Sequence, residues 1–195
     1  MQKLKIGVSG SRGSFSEEAA KYYCRKNSIK DYELVYLISA ENVLKALATS
    51  EIERGVFPIE NSNGGIVYEA VAAMSKYLFS IVKIFEIDVQ HCLLVKPGTT
   101  SGRVKKITSH PQALKQCRMY LKRKWPGVEL EEYCDTAEAA KDLSGGKLKA
   151  STAVIAPGGA AKLYGLEIME EGVQDLKFNF TTFIFAKQRK KSFNN

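Results

Sequence analysis

No apolar run in this chain approaches the roughly 20 residues that cross a bilayer, and the opening "MQKLKIGVSG" lacks the long apolar stretch and small-residue cleavage site of a signal peptide. A cytoplasmic protein without a membrane partner is therefore expected. The "NFT" at Asn179–Thr181 fits the glycosylation pattern but carries no meaning without export. Cysteine is sparse: Cys24, Cys92, Cys117 and Cys134 form no C-x-x-C pair and have no histidine at metal-ligand spacing. They read as free thiols in or near a core, with no metal and no cofactor expected. There is no recognition-helix, RRM or zinc-finger pattern, so the net charge of +8 does not by itself indicate nucleic acid. It admits an anionic partner, and the runs "LKRKW" and "KQRKK" read first as solvated faces. There is no G-x-G-x-x-G loop, Walker loop or serine elbow either.

What remains is ordinary globular material: 195 residues, 45% hydrophobic and 26% charged, enough to bury a sizeable core. Strand and helix patterns alternate almost throughout. "KLKIGVSG" alternates and turns; "SFSEEAAKYYCRK" follows with Ser14 or Ser16 as N-cap and Glu17 and Glu18 in the first turn. "SAENVLKALATSEI" opens on Ser39 and places Val43, Leu44 and Leu47 at helical spacing. "SIVKIFEIDVQHCLLVK" reads as one long or two consecutive strands, and "PQALKQCRMYLKRK" as one helix with Pro111 in its first turn. The class is α/β with mostly parallel sheets, and "KPGTTSGR" is the best compositional hinge.

Ligands in open α/β sheets bind at the carboxyl ends of strands. Three polar groups fall at such ends: "SGSRGS", "ENSNGG" and "SHPQ". Each has an ordinary explanation. "GSRGSFS" is turn-plus-cap chemistry, with Arg12 the one detail that favours an anionic ligand. Glu60, Asn61 and Ser62 are either caps of the next helix or a site; His110 reads as a cap and His91 as a core histidine. Three groups of the same polarity suggest a shared cleft.

The order and wording of these blocks resemble the catalytic domain of prephenate dehydratase. Gly10, Gly13, Phe15 and Ser16 match its opening block, with Ser11 for proline and Ser14 for threonine. Its "PIENS" is Pro58–Ser62, followed by Gly65 and Val67; its connecting-strand histidine looks like His91; its "SHPQAL-x-QC" is complete from Ser109 to Cys117. "TAEAA", "AVIA", "YGL" and "QD" follow in order, so the likeness spans nearly the whole chain. It implies two α/β subdomains around a cleft, resembling type II periplasmic binding proteins. The first would hold residues 1–90 and 172–187 and the second residues 91–171, with crossings near Val89–Val95 and Gly172 and a basic tail over 188–195. Two positions depart from the family. Thr182 stands for an arginine after the threonine, and Tyr68-Glu69-Ala70 stands for Asn-Glu-Thr. The sequence ends where the family adds a regulatory ACT domain, so no such domain, and no separate inhibitory site for phenylalanine, is expected.

By resemblance, the expected activity is conversion of prephenate to phenylpyruvate, water and carbon dioxide in phenylalanine biosynthesis, with arogenate as the alternative substrate. Thr181 is expected at the leaving hydroxyl, with Glu60 and Asn61 in the catalytic set. Ser62, Gln112, Ser14, Phe15, Arg12, His110 and Phe183 are expected to bind the substrate. The missing arginine opens two other readings: a non-aromatising prephenate decarboxylase, or a non-catalytic module that binds a small acid. A homo-oligomer is compatible with the sequence.

Overall fold

The computed structural model describes residues 3–189. Two sheets share one chain. The first contains β1 (Leu4–Val8), β2 (Tyr32–Tyr36), β3 (Arg54–Asn61), β5 (Phe79–Asp88) and β11 (Phe180–Gln188) in the order β2-β1-β3-β11-β5, with the short β4 (Gly65–Ile66) paired to β3. The second contains β6 (His91–Val95), β7 (Lys106–Ser109), β8 (Glu129–Glu132), β9 (Thr152–Pro157) and β10 (Glu167–Glu171) in the order β10-β6-β9-β7-β8. The sheets are mixed rather than mostly parallel. β1 pairs in parallel with β2 and β3, and β7 with β8 and β9, but every pairing made by β5, β6, β10 and β11 is antiparallel. Those four strands carry the chain between the sheets, and a chain that goes out and returns meets its own path running the other way. The crossings are the Val89–Gln90 step and the segment 172–179; "KPGTTSGR" instead forms a turn beside the second sheet, with one 3-10 turn at Ser101–Arg103.

Each sheet buries its faces under helices. Around the first, Ile6, Val8, Val56, Phe183 and Phe185 pack beneath α1 (Phe15–Lys26), and Phe57, Ile184 and Ala186 beneath α2 (Ala40–Ala48) and α3 (Tyr68–Lys76). Around the second, Ile107, Ala153 and Ile155 meet α4 (Pro111–Gln116) and α5 (Arg118–Lys124), while Leu94, Val154 and Ala156 meet α6 (Thr136–Ser144) and α7 (Gly158–Tyr164). The segment expected as one helix from Pro111 is therefore two. Cys117 breaks the run, and the Asp175 carboxylate accepts hydrogen bonds from the Met119 and Tyr120 N–H groups at 2.8 Å, capping the second piece from outside.

Helix starts converge where the two sheets face each other. Ser14 caps α1 by accepting from Glu17 N, Ser39 caps α2, His110 caps α4 through Nδ1, and Asp135 caps α6 by accepting from Ala137 N and Glu138 N. Hydrogen bonds close the gap between the sheets. Ser11 Oγ donates to Asp135 Oδ1 at 2.6 Å, Tyr164 Oη to the Arg12 carbonyl at 2.6 Å, Gln112 Nε2 to the Ile66 carbonyl at 3.1 Å, and Lys115 Nζ to the Gly64 carbonyl at 2.7 Å.

Candidate active site

Between the sheets lies a cavity of about 360 Å³. Its floor is the end of β3 against the start of β11. Asn61 sits directly opposite Thr181, and the register shifts between Thr182 and Phe183, so that Ile59 is an extra residue on β3. Pro58, which has no N–H to give the ladder, sits at this bulge. The shift decides which side chains see the cavity. Residues 58 and 61 are an odd number apart and on a regular strand would face opposite ways. With one residue bulged out, Pro58 and Asn61 both line the cavity, facing Thr181 and Phe183 from β11.

Glu60 and Thr182 are consequently on the other side of the strand pair. They oppose each other in register. Glu60 is exposed, lies outside the cavity lining, and takes part in no ion pair among the described residues. Thr182 donates its hydroxyl hydrogen to Glu86 at 3.3 Å. The placement of Glu60 in the catalytic set is corrected, and so is the idea that Thr182 stands where an arginine would grip the substrate. An arginine at 182 would reach for two surface carboxylates. Ser62 also turns away from the cavity: its N–H and Oγ pair with Phe180 O and N at 2.8 and 3.0 Å, tying the turn to β11. Arg12 lines a separate, adjoining hollow with Tyr36, Glu138, Lys141 and Tyr164, which shares only Ile38 and Cys134 with the inner cavity. Ser14, Phe15, Gln112, His110 and Phe183 do line the inner cavity.

A chain of amides orients the floor. Asn61 Nδ2 donates to Thr181 Oγ1 at 2.8 Å and to Asn179 Oδ1 at 2.7 Å, while its Oδ1 accepts from the Asn63 and Gly64 N–H groups at 2.9 and 2.7 Å. Asn179, fully buried, donates to the Val89 carbonyl and to Gln116 Oε1, each at 2.9 Å. His91 Nε2 meets the same Gln116 oxygen at 2.6 Å. His91 is thus a wall of the cavity as well as a buried residue, and burial pushes its pKa down to about 4, so the ring is neutral at neutral pH. Gln116 and Asn179 were missed by the sequence reading, although both lie inside quoted stretches, "SHPQAL-x-QC" and "NFT". Glycine at position 64 leaves room for these side-chain ends. A Cβ there would sit 2.7 Å from Gln112 Oε1, 3.2 Å from Gln116 Nε2 and 3.3 Å from Asn61 Oδ1.

The arrangement presents a hydroxyl with its hydrogen free. Thr181 is 7% exposed and its oxygen already accepts from Asn61, so its O–H is left to donate into the cavity. His110 Nδ1 accepts from Gln112 N at 3.2 Å, which leaves Nε2 as the protonated nitrogen of a ring that burial keeps neutral by lowering its pKa. Among the described residues no cluster of His, Cys, Asp and Glu could hold a metal ion, and no helix is long and apolar enough to cross a membrane.

Comparison with known proteins gives this geometry its lineage. The chain is 34% identical over 184 residues to arogenate dehydratase 1 of Petunia hybrida, covering 93% of this chain and 41% of that protein. It is 31% identical over 183 residues to a bifunctional chorismate mutase/prephenate dehydratase of Stutzerimonas stutzeri, covering 94% and 48%. It therefore spans less than half the length of these relatives. Among solved structures, the prephenate dehydratase of Arthrobacter aurescens in complex with L-Phe superposes with a TM-score of 0.81 at 23% identity, covering 96% of this chain and 61% of that one. GqqA, described as a novel type of quorum quenching acylase, gives 0.74 at 28%, covering 96% and 65%. The periplasmic VFT2 domain of BvgS from Bordetella pertussis gives 0.51 at 13%, covering 95% and 80%, which places the fold among two-lobed periplasmic-binding-protein-like domains. The family model described as prephenate dehydratase matches residues 6–191, so the strands, the bulge and the amide chain that build the cavity floor all fall inside it, and this chain belongs to the prephenate dehydratase family.

Proposed function

We infer that this chain carries out the decarboxylating dehydration of a cyclohexadienyl acid, prephenate or its amino counterpart arogenate, within aromatic amino acid biosynthesis. The observation that carries the reading is the Asn61–Thr181 pair at the cavity floor, 2.8 Å apart with the amide donating. In the reaction the bond to the ring carboxylate breaks and carbon dioxide leaves. The electron pair enters the ring, and the C–O bond to the ring hydroxyl breaks, leaving an aromatic product. The departing hydroxide takes a proton and becomes water.

The protein's part is to make hydroxide a better leaving group and to hold the acid in line. Thr181 donates to the departing oxygen, and the hydrogen bond strengthens as charge builds there. Asn61 polarises Thr181 and holds its rotamer; Asn179 holds Asn61. A neutral threonine is too weak an acid to end ionised, so the proton it gives is replaced from solvent. Ser14, Phe15, Gln112, His110 and Phe183 shape the walls, and the apolar ring faces of Phe15 and Phe183 suit a six-membered ring. The two lobes act as one site because the donors at the floor belong to the first sheet, while Gln112, Gln116 and the cap His110 belong to α4, which packs on the second.

The test is incubation of the protein with each acid separately, with identification of the products. Phenylpyruvate from prephenate, or phenylalanine from arogenate, together with carbon dioxide is the expected result. Carbon dioxide without an aromatic product, or no reaction with either acid, overturns the reading.

A further inference from the structure

The inner cavity holds no positive charge. No lysine or arginine lines it, burial keeps His91 and His110 neutral, and its two carboxylates are Glu69 and Asp135. Given the dehydration reading, on which this inference rests, the substrate brings two carboxylates with different fates. The ring carboxylate leaves as carbon dioxide. A cation beside it would hold the ground state more tightly than the transition state, in which that charge is moving into the ring. A wall without cations suits its loss. The side-chain carboxylate keeps its charge from substrate to product, so a cation can grip it throughout without opposing the reaction.

The adjoining hollow offers such a cation. It meets the inner cavity at Ile38 and Cys134, and Arg12 and Lys141 both line it. Lys141 is engaged by Glu138 at 2.9 Å, so that pair brings no net charge. Arg12 is exposed and takes part in no ion pair among the described residues. Its backbone, by contrast, is pinned where the lobes meet. Tyr164 Oη donates to the Arg12 carbonyl at 2.6 Å, Ser11 Oγ donates to Asp135 Oδ1 at 2.6 Å, and the Gly13 N–H donates to Glu17. Burial raises the pKa of Tyr36, on β2, and of Tyr164, on α7, and the Arg12 charge opposes both rises, so the guanidinium lies near phenols from both lobes. The side chain is open to an incoming anion while the loop that carries it is fixed.

We propose that the ring of the acid occupies the inner cavity, that its side chain passes Ile38 and Cys134 into the adjoining hollow, and that Arg12 binds the side-chain carboxylate there. A guanidinium presents a planar fork that matches a carboxylate. The contact is equally strong in ground and transition states, so it lowers KM and leaves kcat nearly alone. Arg12 thereby supplies, from the loop before α1, a carboxylate grip that position 182 cannot give, since Thr182 faces away from the cavity.

The experiment pairs steady-state kinetics with calorimetry on the wild-type chain, Arg12→Gln and Arg12→Lys. The side chain is exposed and the bond from Tyr164 is to the backbone, so both variants should fold. The calorimetric probes are phenylpyruvate, which keeps only the side-chain carboxylate, and its methyl ester, which carries no charge. Arg12→Gln should raise KM by about tenfold or more for whichever acid is turned over, with kcat within about threefold of the wild type. It should weaken phenylpyruvate binding by a similar factor and leave the ester unaffected. Arg12→Lys should recover part of the loss, since the charge returns without the fork. Phenylpyruvate affinity within about threefold of the wild type in Arg12→Gln overturns the proposal, as do equal losses for acid and ester or a fall in kcat at constant KM. The dehydration reading stands or falls separately. Turnover with a KM indifferent to Arg12 leaves that reading intact and overturns this proposal. If neither prephenate nor arogenate reacts, Arg12-dependent binding of phenylpyruvate still supports the carboxylate site, and a wild type that does not bind phenylpyruvate overturns it.

Discussion

Thr181→Val separates the chemistry of the site from its architecture. Valine has nearly the shape of threonine and removes one hydroxyl. The folded chain would lose the 2.8 Å bond from Asn61 Nδ2, but that nitrogen keeps Asn179 Oδ1 at 2.7 Å and the Phe180 carbonyl at 3.1 Å, so no buried donor is orphaned. The stability cost is then that of one ordinary hydrogen bond, about 0.5–1.5 kcal/mol. For a chain of this size that moves the melting temperature by roughly 1–6 °C. Catalysis should suffer far more. In the proposed mechanism the Thr181 O–H is the donor at the oxygen where charge develops, and removing such a donor costs about 10²–10³ in kcat, roughly 2.7–4 kcal/mol. KM should hardly change, because the bond is weak in the ground state and strong only as hydroxide departs. Thr181→Ser, which restores the hydroxyl, should recover all but about tenfold of the rate. The assay pairs product formation with thermal unfolding of the same samples. A valine variant that keeps its fold and turns over within about threefold of the wild type would show that Thr181 is no transition-state donor. A collapse of the melting temperature would show its hydroxyl to be structural.

Two further expectations come from the same floor. Thr182→Arg should place a guanidinium between Glu60 and Glu86, its register neighbours on β3 and β5, and stabilise the fold by about 0.2–1 kcal/mol; the gain should shrink in high salt. Its KM should stay where it was, since Thr182 faces away from the cavity, and a large fall in KM would mean the register is wrong. Stability should also depend on pH through His91. Its pKa is about 4 when folded, against about 6.5 when exposed, so the unfolded chain takes up the proton first. The contribution is whole above about pH 6.5 and is lost as pH falls toward 4, by up to about 3 kcal/mol. Urea unfolding of wild type and His91→Gln across that range should show the wild type losing more; parallel curves would contradict the buried, neutral ring.

The opening, middle and closing polar blocks were legible as a shared cleft because turn and cap chemistry is local. Ser14, Ser39 and Pro111 announce helix starts, and those starts do surround the cavity. Side-chain direction was less legible. Glu60, Asn61 and Ser62 read as one polar triplet, yet only Asn61 lines the cavity. Likewise Thr181 and Thr182 look equivalent as letters and lie on opposite sides of a strand. His91, with apolar neighbours in sequence, reads as core because nothing local says that the second crossing of the chain ends beside it. The basic run "KQRKK" and the tail after it lie largely outside the described residues.

The sequence by itself determined the order of strands and helices, the capped helix starts and the family, because hydrophobic period, turn residues and contiguous motif blocks are properties of neighbours along the chain. Tertiary structure alone decided which of those residues share a site. A strand side chain points in or out according to parity, and parity here was reset by one extra residue at Ile59, seen only where β3 is laid against β11. The amide chain from Thr181 through Asn61, Asn179 and Gln116 to His91 joins residues up to 120 apart in sequence, and its polarity follows from a single backbone carbonyl at Val89. Hydrogen-bond direction is a property of atoms brought within 3 Å of each other, and only the fold brings them there.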